Sequence, residues 1–217
     1  MNSWKNEDFR RIILAQARTN KMLSAQEYPN KIILNTYWHK ILSEIHAKGK
    51  KEKIEFSRNI KTDMAAEKLL ISKTIYTGSK NKVESLLVLE GTALKKEKKI
   101  GSIHNHPSNS PFSFYDLVDL LFIPRSLIKI IITKNKLIML AIRTKTTPRV
   151  EENREIFIKQ MKENYKASLN LNLFEKDLTA KILFCQKFDI VFYLGKICWF
   201  NKKIVLKKKK VVKKNNQ

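Results

Sequence analysis

The residues whose types and spacing suggest chemistry are concentrated in one run, Gly101-Ser102-Ile103-His104-Asn105-His106-Pro107-Ser108-Asn109-Ser110-Pro111-Phe112-Ser113-Phe114-Tyr115-Asp116. His104 and His106 are two apart. On a strand, alternate side chains share a face, so both imidazoles are offered to the same side. Pro107 closes that strand, and the Pro, Ser and Asn residues after it form a loop. Ser113 is of the type preferred at a helix N-cap. Asp116 then falls one turn into the helix. Two imidazoles and a carboxylate make a three-ligand set. A zinc ion held by three protein ligands keeps a fourth tetrahedral position open for water, as in catalytic rather than structural sites. A bare His-x-His pair is a weak signal. The proline, the Ser-x-x-Asp pair and the strand–loop–helix context sharpen it.

With those residues in place, the segment resembles the JAMM (MPN+, JAB domain) zinc metalloproteases of prokaryotic type. Their motif is an upstream glutamate, His-x-His-Pro, and a loop ending in Ser-x-x-Asp. The resemblance matches His104, His106 and Asp116 to the family's zinc ligands. It matches Ser113 to the serine that assists at the substrate carbonyl. The loop, residues 107–115, is one residue shorter than is usual in the family. The shortening falls before Ser113, so the Ser-x-x-Asp register survives. The family's glutamate lies at the end of an N-terminal helix or the opening of the first strand. Glu55 holds that position, with Glu52 in a lysine-rich connector as the alternative. The resemblance covers roughly residues 30–145.

The resemblance implies a zinc-dependent peptidase or isopeptidase with one Zn2+ ion. The substrate would be a protein or peptide, with ubiquitin-like proteins among the candidates. Glu55 would serve as general base and then acid, and Ser113 as a donor to the developing oxyanion. A second reading is a non-catalytic JAB-like scaffold or nucleic-acid-associated binding protein that uses its positive charge. A metal-dependent nuclease is weaker, because the clustered carboxylates of a two-metal centre are missing.

The charge behind that second reading is large. Among 217 residues, lysine and arginine number 44 and aspartate and glutamate 20, so 44 − 20 = +24. Such an excess draws a protein toward polyanions. Arginines number only 8, so lysines number 44 − 8 = 36, and asparagine and isoleucine are also abundant, a bias that an AT-rich genome writes into any protein. A nucleic-acid partner is therefore not favoured. Cys185 and Cys198 are too few for a disulfide framework. A reducing, cytoplasmic compartment is expected. No signal peptide is visible, and no apolar run approaches the roughly 20 residues of a membrane span.

The elements that must position these groups read as α+β. The resemblance implies a JAB/MPN-like (cytidine-deaminase-like) mixed sheet flanked by helices. Residues 4–25 read as a helix, and a second amphipathic helix runs from Leu34 through Trp38 and Ile45 to an end near Gly49. His39 and His46 on it read as surface or packing residues. Short strands are expected over Ile54–Ile60, Leu69–Thr77 and parts of Val83–Glu90, with a turn at Gly78-Ser79-Lys80-Asn81. Lys95–Lys99 reads as a basic loop, Ile100–His106 as a strand and Ser113–Phe122 as a helix. Leu127–Thr133 and Lys136–Arg143 read as a buried hairpin. Helices over 151–166 and 174–187 and strands at Ile190–Leu194 and Ile197–Phe200 follow. The expected organisation is an N-terminal helical extension (1–29), a JAB/MPN-like domain (30–147), a C-terminal helix–hairpin extension packed on it (148–201), and a lysine-rich disordered tail (202–217).

Overall fold

The most apolar stretches become central strands covered on both faces, and this sets the architecture. The computed structural model describes residues 3–63, 66, 68–78, 97–166, 173–197 and 202–210. In chain order the described elements are β1 (Ser3–Trp4), α1 (Asn6–Thr19), β2 (Lys31–Leu34), α2 (Thr36–Glu52), β3 (Phe56–Asp63), β4 (Lys68–Ile71), β5 (Tyr76–Thr77) and β6 (Glu97–His106). Then come α3 (Phe114–Phe122), β7 (Ile128–Thr133), β8 (Leu137–Arg143), α4 (Arg154–Lys166), α5 (Leu173–Lys187), β9 (Ile190–Ile197) and β10 (Ile204–Lys208). The strands form one mixed sheet in the order β1-β2-β10-β9-β8-β7-β6-β3-β4, with β5 added beside β3. The fold is α+β.

Alternation along the strands divides the core into two layers. Ile130, Ile132, Ile138, Leu140 and Ile142 pack with Phe9 and Ile13 of α1 and Trp38, Leu42 and Ile45 of α2. Ile131, Met139 and Ala141 face the other way, onto Leu117 and Leu121 of α3, Phe157 of α4 and Phe184 of α5. The sheet therefore lies between two helical layers. The hairpin expected around Lys134-Asn135 is present as β7 and β8, paired antiparallel from Ile128↔Ile142 to Ile132↔Ile138. His39 and His46 are buried packing residues. His46 Nε2 lies 3.0 Å from the Lys134 carbonyl, to which it donates.

Several boundaries differ from the sequence reading. Helix α1 stops at Thr19, because Asn20 turns left-handed at φ 54°. Lys31–Leu34 is a strand rather than the start of the second helix. A four-residue apolar run carries too little period to distinguish the two. Asn35 caps α2, its side chain accepting from the Tyr37 amide at 3.2 Å. Gly49 does not end that helix, which continues to Glu52 and closes at Lys53 with φ 57°. Residues 97–99 belong to β6, not to a basic loop. The strand expected over Val83–Glu90 and turn residues 79–81 lie outside the described residues.

The C-terminal segment requires the largest correction. β9 runs unbroken to Ile197, and residues 198–200 lie outside the described residues. The second strand is β10, within the segment expected to be a disordered tail. Ile204 and Leu206 are fully buried, while Lys207 is exposed. This period-two pattern is obscured in the sequence by the surrounding lysines. β10 pairs antiparallel with β9 on one side and β2 on the other. Lys208 Nζ donates to the carbonyls of Ala25 and Tyr28 at 2.6 and 2.9 Å.

Candidate metal centre

Strands β6 and β7 run parallel, His104 opposite Ile131 and His106 opposite Thr133, and α3 is the crossover between them. A parallel pair needs such a crossover, which brings the N-terminus of the helix back near the end of the first strand. The alternation of β6 sends Ile103 to the α1–α2 layer and the two histidines to the α3 layer. Both imidazoles are buried, at 4% and 6% exposure.

The connecting loop is fixed at several points. Lys134 N donates to the Ser108 carbonyl at 3.0 Å, and Asn135 N donates to Asn109 Oδ1 at 2.9 Å. Phe112 is fully buried, edge-on to Phe192 with ring centroids 6.0 Å apart. It anchors the loop directly before the N-cap of α3. Phe112→Ala is expected to cost about 3–5 kcal/mol, as large aromatic truncations in cores do. A denaturant midpoint unchanged from the parent would show that the loop is anchored elsewhere.

Ser113 and Asp116 form a reciprocal capping box. Asp116 N donates to Ser113 Oγ at 3.1 Å, and Ser113 N donates to Asp116 Oδ2 at 2.8 Å. The Ser113 hydroxyl also donates to Asp116 Oδ2, at 2.6 Å. The hydroxyl that the resemblance assigns to a substrate oxyanion is thus held here by the carboxylate. One effect of this cap is to orient Asp116.

The one-residue-shorter loop still brings Asp116 to the histidines. His104 Nε2 and His106 Nε2 are 3.2 Å apart. Asp116 Oδ1 lies 3.0 Å from His104 Nε2, and Asp116 Oδ2 lies 3.5 Å from His106 Nε2. A tetrahedral ion with bonds of ~2.0–2.1 Å needs ligand-to-ligand edges of about 3.3 Å. The His104–His106 and His104–Asp116 Oδ1 separations lie close to that value, while the His106 distance is to the other carboxylate oxygen, Oδ2. His104, His106 and Asp116 could therefore hold a metal ion.

Protonation is consistent with this use. His106 Nδ1 lies 3.1 Å from the Ser110 carbonyl, which can only accept. Nδ1 therefore carries a proton, and in the neutral ring Nε2 keeps its lone pair for a metal. Burial opposes protonation of His106, but the Asp116 and Glu55 carboxylates and the Ser110 carbonyl outweigh it and raise its pKa. Burial likewise pushes the Asp116 pKa up, and the two histidines overcome this and hold it well below the ordinary carboxylate range.

Glu55 enters from the neighbouring strand. The β3–β6 ladder is antiparallel, with Ser57 opposite His104. Extending that register outward sets Phe56 against Asn105 and Glu55 against His106, on the histidine face. Glu55 is 9% exposed, and its charge acts on His106. Glu52, the last residue of α2, is exposed. The structure thus gathers Glu55, His104, His106 and Asp116, with Ser113 behind Asp116. Sequence reasoning missed Ser110, which acts through its backbone carbonyl, and the separate work of Asn105. Residue type signals neither contact.

No protein-family model matches the chain, and no curated protein matches it. The geometry therefore carries the functional reading.

Proposed function

We propose that this protein is a zinc-dependent amide hydrolase of the JAMM (JAB/MPN) type, acting on a peptide or isopeptide bond of a protein substrate. The observation that supports the reading is the convergence of two buried imidazoles and a half-buried Asp116 carboxylate, whose ligand atoms lie within 4.8 Å of one another, with the Glu55 carboxylate close enough to act on His106. The donor set fits the ion: two imidazole nitrogens and one carboxylate oxygen are borderline ligands that suit zinc and leave a position free. Bound zinc would supply a Lewis acid for the substrate carbonyl and lower the pKa of a coordinated water toward about 7.

The chain's own residues supply the rest. The Ser110 carbonyl holds His106 Nδ1–H, so the ring presents Nε2. Ser113 holds Asp116 Oδ2 and leaves Oδ1 directed at the same centre as the imidazoles. The Glu55 carboxylate takes the proton of the attacking water and delivers it to the leaving amine nitrogen as the C–N bond breaks and the new C–O bond forms. On turnover, Ser113 can exchange its hydrogen bond to Asp116 for one to the substrate oxygen.

The test is metal analysis of the purified chain, followed by hydrolysis assays on ubiquitin-like fusions and unlinked peptides. One zinc per chain is expected, with activity lost to a chelator and restored by zinc. A chain that binds no divalent metal sinks the reading. Nucleic-acid affinity falling steeply with salt and indifferent to metal would favour a basic binding module instead.

A further inference from the structure

We propose that Asn105, the residue between the two histidines, is a positioning residue that sets the carboxylate of Glu55. The inference rests on the metallohydrolase reading and deepens it. Alternation along β6 turns Asn105 away from the metal side, toward α2. There its amide makes two hydrogen bonds. Oδ1 accepts from the Phe56 amide at 2.8 Å, and Nδ2 donates to the Ile54 carbonyl at 3.1 Å. These backbone groups flank Glu55 on both sides. The backbone ladder between β3 and β6 begins only at Ser57↔His104. Beyond it, the Asn105 side chain takes over the pairing and carries the register out to the residue opposite His106.

Gly49 makes this possible. A Cβ at that position would lie 2.0 Å from Asn105 Nδ2 and 2.4 Å from its Cγ. Glycine is unfavourable inside a helix, and at Gly49 its small size leaves room for the amide. One side chain therefore joins three things: the β6 strand that bears the histidines, the segment that bears Glu55, and the inner face of α2. An aspartate at position 105 would lose the donor, and a serine would not span both partners.

The test uses the full chain loaded with Co2+ or Zn2+, as Glu55→Gln, Asn105→Ala, Gly49→Ala and the Asn105→Ala/Glu55→Gln double variant. The first readout is the visible absorption spectrum of the cobalt form, which responds to groups beside the open coordination position and needs no substrate. The second is kcat and KM on a hydrolysed fusion protein. Glu55→Gln is expected to alter the cobalt spectrum. Asn105→Ala and Gly49→Ala are expected to alter it in the same sense, and the double variant no further than Glu55→Gln. Cobalt affinity is retained, and kcat falls by about 10–100-fold with KM unchanged. Gly49→Ala favours the helix intrinsically, so it tests the contact even if Asn105→Ala fails to fold. A parental spectrum for Asn105→Ala or Gly49→Ala, with Glu55→Gln altered, overturns the positioning role alone. A parental spectrum for Glu55→Gln removes Glu55 from the metal centre, and the base assignment and the positioning role fall together.

Discussion

A chain carrying His106→Ala is expected to lose zinc affinity by more than the roughly 10–100-fold that removal of an outer partner of a metal ligand costs. His106 contributes Nε2 at 3.2 Å from His104 Nε2 and 3.5 Å from Asp116 Oδ2, so its loss leaves two donors of three. The fold should survive. Asp116 keeps its contact to His104 at 3.0 Å and its bonds to Ser113, and Ile103 continues to hold β6 in the core. Titration with Zn2+ or Co2+ measures the loss directly. A ligand that binds only the folded state raises the melting temperature, by an amount that grows with the logarithm of its concentration over Kd. The parent should therefore show a zinc-dependent rise that the variant lacks. Parental zinc affinity in His106→Ala would mean that the ion, if bound, sits elsewhere.

The second large effect is expected at Glu55. Glu55→Gln keeps the size and the polar end of the side chain and removes only its ability to take a proton. Turnover should fall by about 10²–10⁴-fold, the range that a positioned general base contributes, while zinc content stays at the parental level. Asp116→Ala should show the opposite pattern, with weaker zinc binding. This contrast separates a base from a ligand. The two carboxylates differ in place: Asp116 lies within bonding geometry of both imidazoles, whereas Glu55 acts on His106 from the adjacent strand. Full activity in Glu55→Gln would move the base to Glu52 or beyond, although Glu52 is exposed at the end of α2.

The site was more legible in the sequence than the sheet that carries it. His104, His106, Ser113 and Asp116 lie within one short run, where strand period and helix capping alone place them. Glu55 is distant in sequence, and its place required the family resemblance. The β3–β6 register supplies the physical reason for that place. The buried hairpin of β7 and β8 was readable because every residue from Ile128 to Thr133 is buried. β2 and β10 were not readable. Each is a short strand whose stability comes from a partner near the other end of the chain, and local composition says little about such pairing. The inward Ile204 and Leu206 of β10 sit in a segment rich in lysine on both sides, so average composition suggested solvation where alternation specified a strand.

The position of β10 also bears on how the molecule assembles during synthesis. β2, and through it β1, joins the rest of the sheet by way of β10. A ribosome makes β10 after every other element described here. The edge of β2 that pairs with β10 must therefore wait until Ile204–Lys208 has been made, although α1 and α2 can already pack on β7 and β8. Closing such a distant pairing is slow because a long loop must be ordered before the contact rewards it. A nascent chain stalled before Ile204 would leave the β10-facing edge of β2 unpaired, an open strand edge of the kind that invites mispairing and aggregation.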